Sequence, residues 1–382
     1  MKIRKAIFWT HLGAGVVASI VVFMMSVTGV VLTYERQIKA WADREIYSIE
    51  TAGGRRLSVD ELLASVKSQD ADMNISTMGV HSRADMPPVA SQGRRGQNYL
   101  NPYTGEILGP GNTEVRGFFS TMMGWHRWFN LTGDARSTGR AVTGAANLIF
   151  LYLVVSGIYL WLPPLWRWIV FRQRLFFNNR VKTAKARDYN WHHVFGFWIF
   201  APLFLIVLSA TPISYPWARN AVYKITGEDV PERGGPGDQT TLPVLAAGVE
   251  TLSLQAIFDK TAAESTGWRR IDVEVPDADS TTVNVSIDKG TGGEPHKKRT
   301  LTIERVSGEI IEIQSFADRT PASKVLSYFR WVHTGEAHGL FGQTIAGIVS
   351  ALAMLMVWTG LALSYRRLIQ PLIRRKRLSA TG

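Results

Sequence analysis

The sequence predicts a membrane α-helical protein: a four-transmembrane-helix bundle carrying two small α+β domains, internally duplicated. Three observations predict it. Four stretches of the 382-residue chain are free of charge, basic residues are confined to short segments beside them, and histidines recur at the same places in each half.

The apolar stretches are Leu12–Thr33, Ala141–Leu162, Val194–Tyr215 and Thr344–Tyr365, each 22 residues long. At about 1.5 Å rise per residue, each spans a hydrocarbon core of about 30 Å. A soluble core able to bury four such helices would need a far larger chain. Lys2, Arg4 and Lys5 resemble the n-region of a signal peptide, but the run that follows is too long and ends in Thr33-Tyr34-Glu35-Arg36 without a small-residue cleavage site, so a retained span is expected.

Charge predicts the orientation. Residues 1–11, 164–192 and 366–382 hold 16 basic residues and one acid, Asp188, whereas the whole chain carries only +12. Basic flanks stay in the cytoplasm. Both termini and the 164–192 loop are therefore expected inside. The expected order is an N-terminus and first span (1–34), an outer domain (35–139), a second span (140–163), the basic loop (164–192), a third span (193–215), a second outer domain (216–343), a fourth span (344–365) and a basic tail (366–382). The positive charge sits in juxtamembrane runs, which argues against nucleic acid as a partner. With no cysteine in the chain, disulfides, iron–sulfur clusters, zinc–thiolate sites and covalently attached haem are excluded.

Each half reads in the same order. Trp9-Thr10-His11 opens the first span and Trp191-His192-His193 the third; Trp125-His126-Arg127-Trp128 precedes the second span and Arg330-Trp331-Val332-His333 the fourth. Toward the span ends stand Thr28-Gly29, Ser156-Gly157 and Thr359-Gly360. In the outer segments, Leu57–Val66 and Leu252–Ala263 read as helices. Ile271–Val275 and Thr282–Ile287 alternate as strands, and Thr300–Val306 with Ile310–Ile313 reads as a hairpin. Pro87–Gly96 and Glu228–Gln239 read as exposed loops.

Six of the eight histidines lie beside the spans: His11, His126, His192, His193, His333 and His338. In a bundle they form two facing pairs, one per leaflet. Two facing imidazoles ligate one haem iron axially, and bundle interiors house such cofactors. The expected sites are a haem b between His11 and His192 near the cytoplasm and a second between His126 and His333 near the outer face, two per chain, with His193 and His338 as alternates. Arg127 and Arg330 are candidate partners of haem propionates, or interfacial anchors beside the tryptophans. Span glycines such as Gly29, Gly157 and Gly360 serve either the approach of a macrocycle or close helix packing. There is no HExxH or HxxxH spacing, no nucleophile elbow and no Gly-rich nucleotide motif.

The Asn101-Pro102-Tyr103-Thr104-Gly105-Glu106-Ile107-Leu108 hairpin and its weaker echo, Glu304-Arg305-Val306-Ser307-Gly308-Glu309-Ile310-Ile311, resemble the closing hairpin of PepSY domains. Together with the histidine-bearing spans, nearly the whole chain resembles the PepSY-associated transmembrane helix family of bacterial inner membranes, and within it ferrisiderophore reductases of the FoxB type. The resemblance implies a multi-pass inner-membrane oxidoreductase with two periplasmic domains. It implies reduction of an iron(III)-siderophore and release of Fe(II), with electrons from quinone or a cytoplasmic reductase. Catalysis would be electron transfer, with no acid–base residue. The rival expectations are a non-redox PepSY protein that binds periplasmic partners, and a transporter of haem or siderophore.

Overall fold

The computed structural model describes residues 2–47, 54–93, 96–231, 244–246 and 248–379. These divide into a helical unit (Met1–Glu35, Phe119–Val222, Tyr328–Gly382) and a sheet unit (Arg36–Phe118, Tyr223–Ser327).

In the helical unit, α1 (Lys2–Leu32) and α5 (Ala135–Trp161) are long and apolar enough to cross a membrane, as is the stretch Glu336–Ile373, which contains α12 (Gly339–Leu368). The third predicted span is instead two helices, α7 (Ala184–Trp198) and α8 (Phe200–Ser214), bent by 68° at Ile199. The described residues thus contain three candidate spans, or four if the bent pair is one. Charge-free composition reports that a segment suits lipid. It carries no record of the angle at which two helical pieces meet.

α1 packs against α5 and α12, α5 against α8, and α12 against α7. Val154, Ile199, Leu203, Val207, Val349 and Ala353 form the apolar centre. α1 and α12 run antiparallel: Tyr34 meets Thr344 at 2.7 Å, and Arg367 at the far end of α12 stacks on Phe8 and Trp9. The basic end is tied by hydrogen bonds and ion pairs. Arg4 donates to the Leu160 and Leu162 carbonyls at the C-terminus of α5, favourable for a cation there, and Arg366 pairs with buried Asp188 at 2.5 Å. The 164–192 loop holds a further helix, α6 (Trp168–Leu175), and the start of α7; the tail forms α13 (Gln370–Ser379).

Four amphipathic helices went unread in the sequence: α2 (Glu35–Ile46), α4 (Thr113–Trp128), α9 (Pro216–Thr226) and α11 (Pro321–His333). His126 and His333 precede the second and fourth spans as expected, and they do so at the C-terminal ends of α4 and α11, separate helices that come before α5 and α12.

The sheet unit is built from the two long segments that connect the apolar helices, 36–118 and 223–327. Helix α3 (Val59–Gln69) is followed by strands β1 (Thr77–His81), β2 (Val89–Ser91), β3 (Gln97–Leu100) and β4 (Ile107–Gly109). Helix α10 (Leu254–Glu264) is followed by β5 (Arg270–Glu274), β6 (Thr282–Asp288), β7 (Lys298–Glu304) and β8 (Ile310–Ser315). The two sets are joined in one antiparallel sheet, order β4-β3-β2-β1-β5-β6-β7-β8, rather than standing as two separate domains. β1 pairs with β5 from Thr77↔Glu274 to His81↔Arg270. The alternating residues Met78, Ile271, Val273, Val283, Val285, Ile287, Leu301 and Ile303 form one core with Val59, Leu62, Val66 and Ile257 of the helices. Pro87–Gly96 is therefore not simply a loop: Val89 and Ala90 are core residues on a three-residue strand too short to show alternation, and residues 94 and 95 lie outside the described residues. Of the Glu228–Gln239 loop, residues 232–239 also lie outside them.

The two hairpin motifs fold alike. Gly105 and Gly308 take φ +74° and +70°, closing turns in which their amides donate to Asn101 O and Glu304 O. That left-handed backbone explains the glycine of each motif. The N-termini of α3 and α10 cap one another. The Asp60 carboxylate accepts from the Leu254 and Gln255 amides at 3.0 and 2.8 Å, and the Gln255 side chain accepts from the Val59 amide at 2.8 Å. Ser58 adds a capping box with Glu61 on α3. Loss of the Asp60 cap should destabilise the unit by about 1 kcal/mol, the usual cost of an N-cap. Asp60→Ala should accordingly lower the urea midpoint of limited proteolysis in the sheet unit of the detergent-solubilised protein, whereas Glu264→Ala, at the exposed C-terminal end of α10, should not.

Candidate functional site

The candidate site is the set of histidines in the helical unit, and its organising feature is what each Nδ1 touches. His11 on α1 meets Ser156 Oγ of α5 at 2.8 Å; His126 on α4 meets Thr28 Oγ1 of α1 at 2.9 Å; His192 on α7 meets Thr359 Oγ1 of α12 at 2.9 Å. His333 on α11 meets the Ile206 carbonyl of α8 at 2.9 Å. In every case a histidine of one helix is fastened to a different helix.

These partners favour one tautomer. A hydroxyl has one proton to give. Ser156 donates its proton to Tyr152 O at 2.6 Å, Thr28 to Met24 O at 2.8 Å and Thr359 to Leu355 O at 2.8 Å, each four residues back in its own helix. The hydroxyl oxygen is then left to accept, so the imidazole is the donor. The Ile206 carbonyl can only accept. The His333 ring therefore carries its proton on Nδ1, and the three hydroxyl-held rings share that state, with Nε2 free, whenever the hydroxyl proton stays on its own helix carbonyl. This is how metal-ligating imidazoles are commonly oriented by their surroundings.

The hydroxyls are the functional residues that sequence reasoning missed. Their signal was present as the small polar residue before glycine at 28–29, 156–157 and 359–360. The glycines back the rings: a Cβ at Gly157, Gly29 or Gly360 would stand 3.5, 3.7 or 3.4 Å from Cε1 of His11, His126 or His192. Those are ordinary van der Waals distances, so alanine fits and the hydroxyl is the demanding member of each pair.

The rings of His126 and His333 are brought together, centroids 6.2 Å apart with 56° between planes. Two imidazoles bound through nitrogen to one metal ion, with bonds of about 2.0–2.1 Å, have centroids about 6 Å apart when they lie on opposite sides of it. His11 and His192 lie toward the basic end of the unit and within electrostatic range of one another. Between His11 and Thr28 the axis of α1 rises about 25 Å, which separates the two levels.

The alternates are held differently. His193 turns its Nδ1 to Tyr189 O of its own helix at 2.9 Å and lies 4.1 Å from the Tyr189 ring. His338 is exposed, and its Nε2 is engaged by the Tyr328 hydroxyl at 2.9 Å. Arg127 and Arg330 stack on the neighbouring Trp128 and Trp331, at 5.2 and 5.7 Å from the ring centroids. Among the described residues, no group of three or more His, Cys, Asp or Glu side chains is placed to hold a metal ion. Any metal at these histidines must bring most of its ligands with it.

His81 belongs to the sheet unit. Burial, then the Arg270 cation across the β1–β5 pair, pull its pKa from 6.5 down to about 4. The folded state therefore binds its proton less readily than the unfolded chain. The resulting stability is fully present above pH 6.5 and is lost as pH falls toward 4. The urea midpoint of the sheet unit should drop between pH 7 and pH 4.5, and less so in His81→Asn.

Two further outcomes test the tethers. With 15N-labelled histidine, NMR of the protein in detergent should show the Nδ1-protonated tautomer for His11, His126, His192 and His333. Thr359→Val should shift the His192 signal alone and cost about 1–3 kcal/mol, the penalty for an unsatisfied buried donor. Gly360→Ala should leave that signal unchanged.

The family model of the PepSY-associated TM region matches residues 8–367. No curated protein matches the chain.

Proposed function

The chain belongs to the PepSY-associated transmembrane family, and on that premise we propose that it is a di-haem b oxidoreductase of the bacterial inner membrane that reduces periplasmic iron(III)-siderophores. The observation that carries this reading is the common state of four histidines: Nδ1–H tied across a helix interface, Nε2 free, with one pair of rings 6.2 Å apart.

In this reading the chain is a duplicated two-helix unit with both termini in the cytoplasm. The bent α7–α8 pair serves as the third of four spans, and the sheet unit lies in the periplasm. His11 and His192 hold one haem, His126 and His333 the other, and Arg127 and Arg330 meet the propionates of the latter. Haem b supplies one-electron chemistry when bound. Donor type at all four histidines, and the ring spacing of His126 and His333, support that group. Neutral imidazole is what an axial ligand requires, and the hydroxyl or carbonyl on Nδ1 fixes the ring plane and strengthens Nε2 as a donor. The apolar helices keep water from the interior. The net reaction takes one electron from quinol or a cytoplasmic reductase and converts chelated Fe(III) to Fe(II). The softer, less charged ion is held less tightly by hard oxygen ligands.

His338 has Nε2 occupied; His193 keeps Nε2 free but is fastened within its own helix rather than across an interface, so His192 is preferred to it as the ligand. Protein purified from haem-replete cells should contain two haems per chain, with an α-band that sharpens on dithionite addition. His11→Ala, His126→Ala, His192→Ala and His333→Ala should each lose about one haem; His193→Ala and His338→Ala should lose none. A colourless, folded protein would sink the proposal in favour of the non-redox reading.

A further inference from the structure

The end of the helical unit that carries His126 and His333 also carries four arginines: Arg127 on α4, Arg136 and Arg140 on α5, and Arg330 on α11. Among the described residues, none of the four makes an ion pair with a carboxylate. Sequence supplies little to neutralise them, since Asp134 is the single acid between Glu114 and Asp188. Arg136 and Arg140 stand four residues apart on one face of α5, where like charges repel. The Arg127 and Arg136 guanidiniums share one ring, at 5.2 and 4.0 Å from the Trp128 centroid. Arg140, Arg330 and Arg136 all lie within electrostatic range of the Arg127 guanidinium, so the four form one group of like charges.

The arrangement is held rigidly. Phe129 and Asn130 take left-handed φ of 55° and 53° in the turn from α4 to α5, a conformation that costs free energy at non-glycine residues. Gly139 lies so near the Trp128 carbonyl that a Cβ would stand 2.3 Å from it. The turn thus fixes Trp128 beneath Arg136 of α5 and beside Arg127. These cations also sit at the end opposite the basic termini, where the charge bias of membrane proteins disfavours arginine. Topology does not explain them, and a ligand does.

We propose that Arg136, over the Trp128 ring, and Arg140, one turn further along α5, bind a multiply charged oxyanion through its carboxylate or phosphate oxygens, in the field of Arg127. Planar guanidiniums stacked on an aromatic face keep their N–H forks free for such oxygens. This deepens the redox reading by giving the acceptor a charge: the ferric chelate is anionic and docks beside the His126–His333 pair. The binding itself does not depend on haem.

The test is calorimetric titration of the full-length protein with citrate, in nanodiscs of neutral lipid, with haem content measured on the same samples. Citrate should bind, about tenfold or more weaker at 300 mM than at 50 mM salt, because an exposed charged site is screened. Arg136→Gln/Arg140→Gln should weaken it at least about tenfold with haem content unchanged, and Arg136→Lys/Arg140→Lys should recover part of the loss. Loss of citrate binding only in discs of anionic lipid would assign the same site to a lipid phosphate. Absence of binding in neutral discs, or equal binding by wild type and the glutamine variant, would overturn the proposal. Citrate binding by a haem-free protein would overturn the redox reading alone.

Discussion

An imidazole inside an apolar bundle has to place its N–H, and this chain solves the problem the same way four times. Without water, an unsatisfied donor costs free energy that no apolar contact nearby restores. A helix backbone has already used its carbonyls, so the acceptor must be a side-chain hydroxyl or a carbonyl that takes a second bond. Ser156, Thr28 and Thr359 do the first and Ile206 the second. Each bond also fastens one helix to another, α1 to α5, α4 to α1, α7 to α12 and α11 to α8. The same interaction thus favours one tautomer, aims Nε2 and sets the helix register.

The sheet unit rests on a comparable exchange. Neither half caps its own helix completely: α3 takes an acceptor from Gln255 and α10 takes two from Asp60. The β1–β5 seam completes the join, placing Gly79 opposite Asp272 and His81 opposite Arg270. A four-stranded piece alone would expose β1 or β5 as an open edge, and edges of that kind invite unintended pairing.

The apolar runs were legible because lipid imposes a composition that no other environment does. The histidines were legible by their repetition, and the turns at Gly105 and Gly308 by their chemistry. What the sequence concealed was geometric. Val194–Tyr215 is uniformly apolar whether straight or bent, so the 68° break at Ile199 left no mark. α4 and α11 are amphipathic and lie in segments whose other residues read as small α+β domains, so the helices that carry His126 and His333 did not stand out. The hydroxyls before Gly29, Gly157 and Gly360 were visible, but small residues in spans usually mean packing. Only the distances to His126, His11 and His192 distinguish a tether from a filler. The joining of two small domains into one sheet was hidden for a different reason, since β1 and β5 are central strands whose alternation reads the same whichever neighbour completes them.

The β1–β5 seam bears on how the protein is made. β1 ends at His81 and its partner begins at Arg270, with much of the helical unit encoded between. At about 5–20 residues per second, a ribosome takes roughly 10–40 s to cover that interval. Throughout it, the nascent first half holds a four-stranded piece whose inner strand has one row of unpaired amides and carbonyls, and a helix whose first turn lacks its borrowed acceptor. Assembly of this protein is therefore a waiting problem, and a holding chaperone on the first half is the kind of help its topology calls for.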